Sequence, residues 1–190
     1  MMPKEEVAIV LDFLPNGYPF DKTPSYKKNA IVQVLGKNQL VLLELVPKKG
    51  VTLQPNEEVY IGEGKRDKIH HITGRLDMDK LTATGSSVLK DVIKNVVHKH
   101  PEKFIEFFNK AQPLTTRMHQ LELLPGVGKK HMWEIIDARD EKSFESFDDI
   151  KKRVKLMPDP EKAIIRRIVS ELSGQEKHRL FAAGVANQEV

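Results

Sequence analysis

The C-terminal half of the chain contains two proline-containing turns in the same sequence context. The segment Leu124–Lys129 (LPGVGK) aligns with Met157–Lys162 (MPDPEK). The helix expected after each turn carries one apolar stripe at helical spacing, which consists of Met132, Ile135 and Ile136 in the first copy and of Ile165, Ile168 and Val169 in the second. Because one such hairpin cannot bury its stripe alone, the repeat predicts two helix–turn–helix units that share a core.

The first turn has the residue types of an anion site. Gly126 and Gly128 allow unusual backbone dihedrals and a close approach of a ligand to the backbone. The helix that follows would direct unpaired amides outward at the positive end of its dipole, and Lys129 and Lys130 add charge. In the second turn Asp159 and Glu161 replace both glycines, so we expect that copy to be a structural partner. Lys162, Arg166 and Arg167 on its helix can still touch a neighbouring phosphate.

The N-terminal part, up to about residue 85, is typical of a small β-barrel. Short Val, Ile and Leu runs alternate with Gly, Pro and Asn. The predicted strands are Val7–Phe13, Ala30–Leu35, Gln39–Val46, Val59–Gly62 and Ile69–Leu76. A tight hairpin at Gly36–Asn38 is expected between the second and third strands, and an SH3-like barrel remains an alternative to an oligonucleotide-binding-type barrel.

Helical spacing begins after Gly85. Ser86 and Ser87 are candidate caps of a first helix, and Pro101 starts a second one, in which an aromatic stripe is expected to be core. Ser146 is a candidate cap in the second hairpin. We therefore predict an α+β protein with two domains: a barrel over residues 1–85, connecting helices over 86–114, and a double hairpin over 115–190 that ends in a flexible tail.

Composition excludes several functional classes. The chain has no cysteine, which rules out disulfides, thiolate zinc sites and thiol nucleophiles. No apolar run is long enough to span a bilayer, so we expect a cytoplasmic protein without a membrane partner. The net charge of +4 is too small to indicate a polyanion partner by itself, but three of the four basic clusters follow residue 128.

No catalytic residue can be assigned. His70 with His71, His98 with His100, and Asp77 with Asp79 are the groupings that suggest a metal or nuclease site. Adjacent histidines on a strand are expected to face opposite sides, and the spacing of the second pair is wrong for a helical zinc site. The two aspartates have the pattern of a turn.

The residues Pro125–Lys129 resemble the Pro-Gly-Val-Gly-Lys core of the helix-hairpin-helix family, and residues 115–175 resemble its tandem form with a degenerate second copy. The resemblance implies sequence-independent binding of DNA or RNA phosphates near Gly126, Val127 and Gly128. It also implies a monovalent cation, K⁺ or Na⁺, held by the carbonyls that match Glu122, Leu124 and Val127.

Over its full length the chain resembles an archaeal family of uncharacterised, predicted nucleic-acid-binding proteins that join an oligonucleotide-binding-type barrel to helix-hairpin-helix repeats. Such barrels stack bases on exposed aromatics beside basic side chains. The corresponding aromatic candidates are Phe13, Tyr18, Phe20, Tyr26 and Tyr60, and the basic candidates are Lys65, Arg66 and Lys68.

These patterns favour non-catalytic nucleic-acid binding, with RNA preferred over DNA on the resemblance alone. The expected binding residues are Gly126, Val127, Gly128, Lys129 and Lys130 at the hairpin with Lys65, Arg66 and Lys68 on the barrel. No cofactor is expected apart from the hairpin cation. Two alternatives stay open: a protein–protein adapter that docks through the hairpin pair, and a metal-dependent nuclease.

Overall fold

The computed structural model describes residues 4–183 and confirms the α+β class. Contacts divide these residues into two compact units, one formed by residues 4–92 with 171–183 and the other by Ile93–Ser170. No helix within the described range is long and apolar enough to cross a membrane. The predicted C-terminal tail lies, from residue 184 onward, outside the described residues.

The first unit contains a curled antiparallel sheet. Its strands are β1 (Val7–Leu14), β2 (Ile31–Gly36), β3 (Leu42–Pro47), β4 (Glu58–Tyr60) and β5 (Ile69–Arg75). They are arranged in the order β4-β1-β2-β3-β5. The five predicted strands are confirmed, since each overlaps one observed strand, although the β2–β3 connection is longer than the predicted tight hairpin and places the buried Leu40 at a φ of 50°.

One face of the sheet forms the apolar core of this unit. Its fully buried members include Val10, Val32, Val34 and Leu45. Strand β2 is buried on both faces, since Gln33 and Leu35 are also fully buried. The polar side chain of Gln33 on β2 is completely buried. Its amide group donates to the Lys80 carbonyl and accepts from the Thr82 amide, so the burial cost of this polar group is compensated.

The helices are α1 (Ala83–Lys99), α2 (Glu102–Lys110), α3 (Lys129–Glu141), α4 (Phe147–Arg153) and α5 (Pro160–Leu172). Short 3₁₀ turns occur at Ser25–Lys27, Met78–Lys80 and Gln120–Leu123. The predicted caps Ser86 and Ser87 were wrong, because α1 starts earlier and Thr82 Oγ1 accepts the Gly85 amide at 2.9 Å. The Ser146 cap is confirmed by its bond from the Asp149 amide.

The second unit is helical, and α2 supplies much of its core. Phe104 and Phe108 are fully buried, which confirms that the aromatic stripe is core. The Arg139 guanidinium of α3 donates to the carbonyls of Phe108 and Ala111, at 3.0 Å each. These bonds satisfy free carbonyls at the end of α2 and fix α3 beside it.

Candidate nucleic-acid interface

The turn between the 3₁₀ helix at Gln120–Leu123 and α3 is anchored by its apolar residues. Leu124 and Val127 are buried, and the Val127 amide donates to the Leu124 carbonyl at 3.1 Å. Gly126 takes a φ of 80°, a conformation that side chains with a Cβ rarely adopt. With its apolar residues inward, the turn leaves Gly126 and Gly128 exposed.

Helix α3 starts without a side-chain cap. Gly128 is its N-cap and provides no side-chain acceptor, and the first backbone bond of the helix is from the Met132 amide to the Gly128 carbonyl. Within residues 4–183, the amides of Gly128, Lys129, Lys130 and His131 have no hydrogen-bond partner. A Cβ built on Gly128 would meet nothing within 4 Å. The N-terminus of α3 therefore offers four open donors at the positive end of the helix dipole.

The two lysines of the turn have different surroundings. Lys130 is well exposed and lies 3.9 Å from the Glu134 carboxylate. The Lys129 ammonium donates to the Arg117 carbonyl at 2.7 Å and to the Glu122 carboxylate at 3.0 Å. The sequence did not indicate this tether, which holds Lys129 beside the turn and partly neutralises it.

Glu122 is the anion that orders this side of the turn. Burial acts to raise its pKa, but the bond from the His119 amide and the Lys129 ammonium outweigh burial, and the pKa is lowered. His119 in turn caps the 3₁₀ helix, because its ring accepts the Leu121 amide. The expected helix before the first turn is thus a single capped 3₁₀ turn and not an α-helix.

The second turn differs from the first in its electrostatics. Asp159 precedes α5, and its carboxylate accepts the Lys162 amide at 3.1 Å and lies 3.1 Å from the Lys151 ammonium. Burial acts to raise the pKa of Asp159, but these partners lower it overall. Since this helix start is already occupied by its own carboxylate, it is a poor site for a phosphate.

The backbone also gives a different alignment of the two turns. In the second turn the residue with a positive φ is Leu156, at 63°, and it corresponds to Gly126 of the first turn. The residues before each helix, Gly128 and Asp159, then correspond, and the second turn is one residue longer. The sequence alignment of the two turns pairs Gly126 with Asp159, and this pairing was wrong.

Of the cations expected on α5, Arg167 is unavailable to a ligand. It is only 4% exposed, and its guanidinium donates to the Leu123 carbonyl at 3.0 Å. Its positive charge therefore lies at the Leu123 carbonyl, within the first hairpin. Arg166 and Lys162 are exposed.

In the first unit, the connection between β1 and β2 presents the most exposed aromatics. Phe20 is 95% exposed and Tyr26 is 81% exposed, and the Lys27 ammonium lies 5.7 Å from the centre of the Tyr26 ring. Phe13, by contrast, packs against the core. The Tyr18 hydroxyl donates to the Glu44 carboxylate at 2.6 Å.

The third region of candidates, between β4 and β5, is folded on itself. The Tyr60 hydroxyl accepts the Gly64 amide, and Arg66 donates to the Gly62 carbonyl at 2.8 Å. Lys68 pairs with Glu57. Lys65 is exposed and has no polar partner among the described residues. Most of the polar groups in this region are therefore engaged locally.

Sequence reasoning missed Trp133, the sole tryptophan of the chain. It lies on α3 and is 58% exposed. The available signal was its register: Trp133 is outside the apolar stripe of α3, where a large aromatic has no core to fill.

The histidine and aspartate groupings give no metal site in the described part of the chain, which has no cluster of three or more His, Asp or Glu residues able to hold an ion. The expectation that His70 and His71 face opposite sides was wrong. Their Nδ1 atoms are 2.7 Å apart and their rings meet edge to face, at a point where β5 has irregular register with β3.

Comparisons with known proteins place the chain among uncharacterised proteins. A family model described as "protein of unknown function (DUF655)" matches residues 4–183. The uncharacterized protein MJ0038 of Methanocaldococcus jannaschii is 44% identical over 177 residues, which cover 93% of this chain and 78% of that protein.

The crystal structure of Af1531 from Archaeoglobus fulgidus is similar at a TM-score of 0.84 and 45% identity, and the match covers 94% of this chain and 100% of that one. The expected membership of an archaeal family of uncharacterised proteins is thereby confirmed in its general form. Since the family model spans nearly the whole chain, the protein belongs to the DUF655 family.

Proposed function

We propose that this protein binds nucleic acid without catalysing a reaction, by holding backbone phosphates at the start of α3. The observation that carries the proposal is the set of open amides at Gly128–His131, which no side chain caps. A phosphate oxygen accepts several such bonds at once, and the helix dipole favours its charge. Contacts of this kind carry no sequence information, so binding is largely sequence-independent.

The contrast between α3 and the two helices that follow it supports this choice. Ser146 caps α4, and Asp159 occupies the start of α5. Helix α3 instead begins with glycine in open space, a residue that contributes no acceptor of its own. An external anion at this position would satisfy donors that the fold otherwise leaves to water.

We infer a helix-hairpin-helix identity for this turn and a barrel of the oligonucleotide-binding type for the sheet. The turn supports the first inference through Gly126 at positive φ, a buried Val127 and a glycine cap. For the sheet, pairing β5 with β4 would close the order β4-β1-β2-β3-β5 into a five-stranded barrel. The β1–β2 loop is a nucleic-acid contact in such barrels, and here it carries Phe20 and Tyr26. RNA is our preferred ligand, on the family resemblance.

The electrostatic part of the proposal is tested by salt. Binding of mixed-sequence RNA and DNA should weaken as salt increases, with a log–log slope of roughly −2 to −4 for a few neutralised phosphates. Fluorescence anisotropy of labelled strands at several KCl concentrations measures the slope. A flat response would contradict phosphate binding.

The sharper test is Gly128→Asp. The new carboxylate has space, caps the helix as Asp159 caps α5, and repels a phosphate from the same amides. We expect the free energy of unfolding to stay within about 1 kcal/mol of wild type and affinity to fall about tenfold or more, since the lost bonds are charge-assisted.

Gly128→Ala is the matched control, because it adds a Cβ in the same open space without an acceptor. Its affinity for nucleic acid should be close to that of wild type. Equal affinities of the Asp and Ala variants, with both proteins folded, would exclude the α3 amides as the phosphate site.

The cation belongs to the same proposal. The Leu124 carbonyl accepts the Val127 amide and keeps a second lone pair, so it can still take part in a K⁺ or Na⁺ site with the carbonyls of Glu122 and Val127. The unfolding midpoint should then rise when K⁺ replaces tetramethylammonium at constant ionic strength. An unchanged midpoint would exclude a cation held in the free protein.

A protein–protein adapter is the second candidate, and Leu156 favours it. This side chain is 87% exposed at the tip of the second turn. Its transfer from water into a partner's surface would be favourable. Leu156→Ser should abolish an adapter interaction and leave nucleic-acid binding unchanged. Pull-downs with the two forms, beside the anisotropy titration, distinguish the two functions.

A further inference from the structure

A pocket of about 320 Å³ lies beside the first turn, wholly within the helical unit. Its volume is at the small end of ligand sites, which range over about 300–1,000 Å³. Lys129 contributes to its wall, and so does Trp133, one turn further along the same face of α3. The pocket is therefore contiguous with the open amides at the start of that helix.

Trp133 gives the pocket an aromatic wall. The indole is 58% exposed, and Met118, also exposed, lies on the same pocket. Trp133 is four residues beyond Lys129, a rise of about 6 Å along the helix axis. A nucleotide whose phosphate rests on the α3 amides can place its base at that distance.

His119 provides an unpaired donor in this pocket. The residue is 6% exposed, and its Nδ1 accepts the Leu121 amide at 3.1 Å. A neutral ring that accepts at Nδ1 carries its proton on Nε2. Within residues 4–183 Nε2 has no partner, and no buried side-chain polar atom there is left unsatisfied, so Nε2–H is open to the pocket that His119 lines. This donor fits a carbonyl oxygen or a ring nitrogen of a base.

The pocket is also cationic. Lys129, Arg117 and Arg139 line it, against the single carboxylate of Glu122. The Arg117 guanidinium makes no hydrogen bond to any described residue and is exposed, so it is available to a phosphate that follows the bound base. An aromatic wall, an unpaired donor and excess positive charge together match a nucleotide within a strand.

We propose that this pocket takes an unpaired base of a single-stranded nucleic acid, stacked on Trp133 and hydrogen-bonded to His119 Nε2, while an adjacent phosphate is held at the start of α3. The inference rests on the proposed function and adds a preference to it. A base within a duplex is stacked and paired, and presents neither its face nor its pairing edge to such a pocket. The protein should therefore prefer single strands to duplexes.

Because Trp133 is the sole tryptophan, its fluorescence reports directly on the pocket. The full chain is titrated with a labelled RNA strand, with the same strand made abasic at every position, and with the duplex. Anisotropy measures binding, and indole fluorescence measures stacking. We expect the strand to quench Trp133, and the abasic strand to bind more weakly without quenching.

Two variants complete the test. Trp133→Ala should weaken single-strand binding by about 5- to 100-fold and leave abasic binding unchanged, as expected for the loss of one stacked base. His119→Asn should weaken it as well, while the new side chain still accepts the Leu121 amide as a cap. Far-UV circular dichroism and unfolding midpoints confirm that both variants are folded.

The outcomes separate the two proposals. If strands bind by anisotropy but neither variant nor the abasic strand differs from its reference, the base pocket is wrong and phosphate binding stands. If no strand binds, both proposals fail. If free nucleoside monophosphates quench Trp133 as strongly as the strand at equal nucleotide concentration, the pocket is a mononucleotide site, and the strand proposal is overturned.

Discussion

Gly126 of the first turn lies directly against Pro158 of the second turn, and a Cβ built on Gly126 would approach Pro158 Cγ to 2.7 Å. The two turns therefore meet at a position of the first turn that has no side chain. Gly126 also has a φ of 80°. The same glycine satisfies a backbone requirement and a packing requirement, whereas Gly128 satisfies neither and is open to solvent.

Gly126→Ala should destabilise the protein by about 1–3 kcal/mol, through the strained φ and the contact with Pro158. Urea unfolding of Gly126→Ala, with and without Pro158→Ala, separates the two causes. The double variant should regain only the part due to the contact. Complete recovery would mean that the backbone conformation contributes nothing, against our expectation.

Asp159 should give a stability contribution that is lost in acid. Its pKa is lowered in the folded state, so this contribution is complete above the unfolded pKa of about 3.8 and disappears as pH falls through the lower folded value. Asp159→Asn keeps the cap and loses the charge opposite Lys151. The difference in unfolding free energy between wild type and this variant should be constant from neutral pH to about pH 5 and shrink below about pH 4.

Asp159→Ala is the companion variant and removes the cap as well. It should cost about 0.5–2 kcal/mol at neutral pH. A difference between wild type and Asp159→Asn that did not change with acidity would show that the carboxylate's charge contributes nothing to stability.

The exposed aromatics Phe20 and Tyr26 should contribute to binding and not to folding. Each alanine variant should weaken single-strand binding by about 1–3 kcal/mol if it stacks one base. The unfolding midpoint should not change, because both rings are almost fully in solvent. Phe13→Leu is a suitable control, since that ring packs against the core and its replacement should affect stability without affecting affinity.

Tyr18 should control stability at alkaline pH. Burial, followed by its bond to the Glu44 carboxylate, raises its pKa to about 12. Since the folded value is above the unfolded one, the contribution is complete below about pH 10 and is lost as pH rises through about 12. Tyr18→Phe should cost about 1–2 kcal/mol at neutral pH.

The pH dependence of the Tyr18→Phe effect tests whether folding raises the pKa of Tyr18. The free-energy difference between wild type and Tyr18→Phe should narrow steadily above about pH 10. A difference that stayed constant up to pH 12 would show that Tyr18 has the same pKa in the folded and unfolded states, and that folding does not raise it.

The strands were predictable because their signals are local. Short runs of Val, Ile and Leu bounded by Gly, Pro and Asn identify strands wherever those strands finally pair. The Ser146 cap is equally local, since the Asp149 amide that donates to its hydroxyl lies three residues away. The cap at Thr82 was not predicted because its position depends on contacts with the sheet. The Thr82 amide donates to Gln33, and its hydroxyl donates to Asp12.

At the candidate site, the sequence indicated the free amides but not their surroundings. Glycines at 126 and 128 imply an open turn through backbone chemistry alone. Lys129 is tethered by Arg117 and Glu122, which only the folded chain brings together. Leu156 at positive φ could not be foreseen, because a leucine gives no indication of that conformation.

Arg167 should be the most sensitive charged residue of the helical unit. It is buried, and its guanidinium donates to the Leu123 carbonyl next to the first turn. Arg167→Met fills similar space but leaves that carbonyl unsatisfied, which costs about 1–3 kcal/mol. Arg167→Lys keeps the charge without the planar donor fork. Its free energy of unfolding in urea should lie between those of wild type and Arg167→Met. If Arg167→Met retained wild-type stability while binding to RNA fell, the arginine would instead act on the ligand, and its assignment as a support of the turn would have to be abandoned.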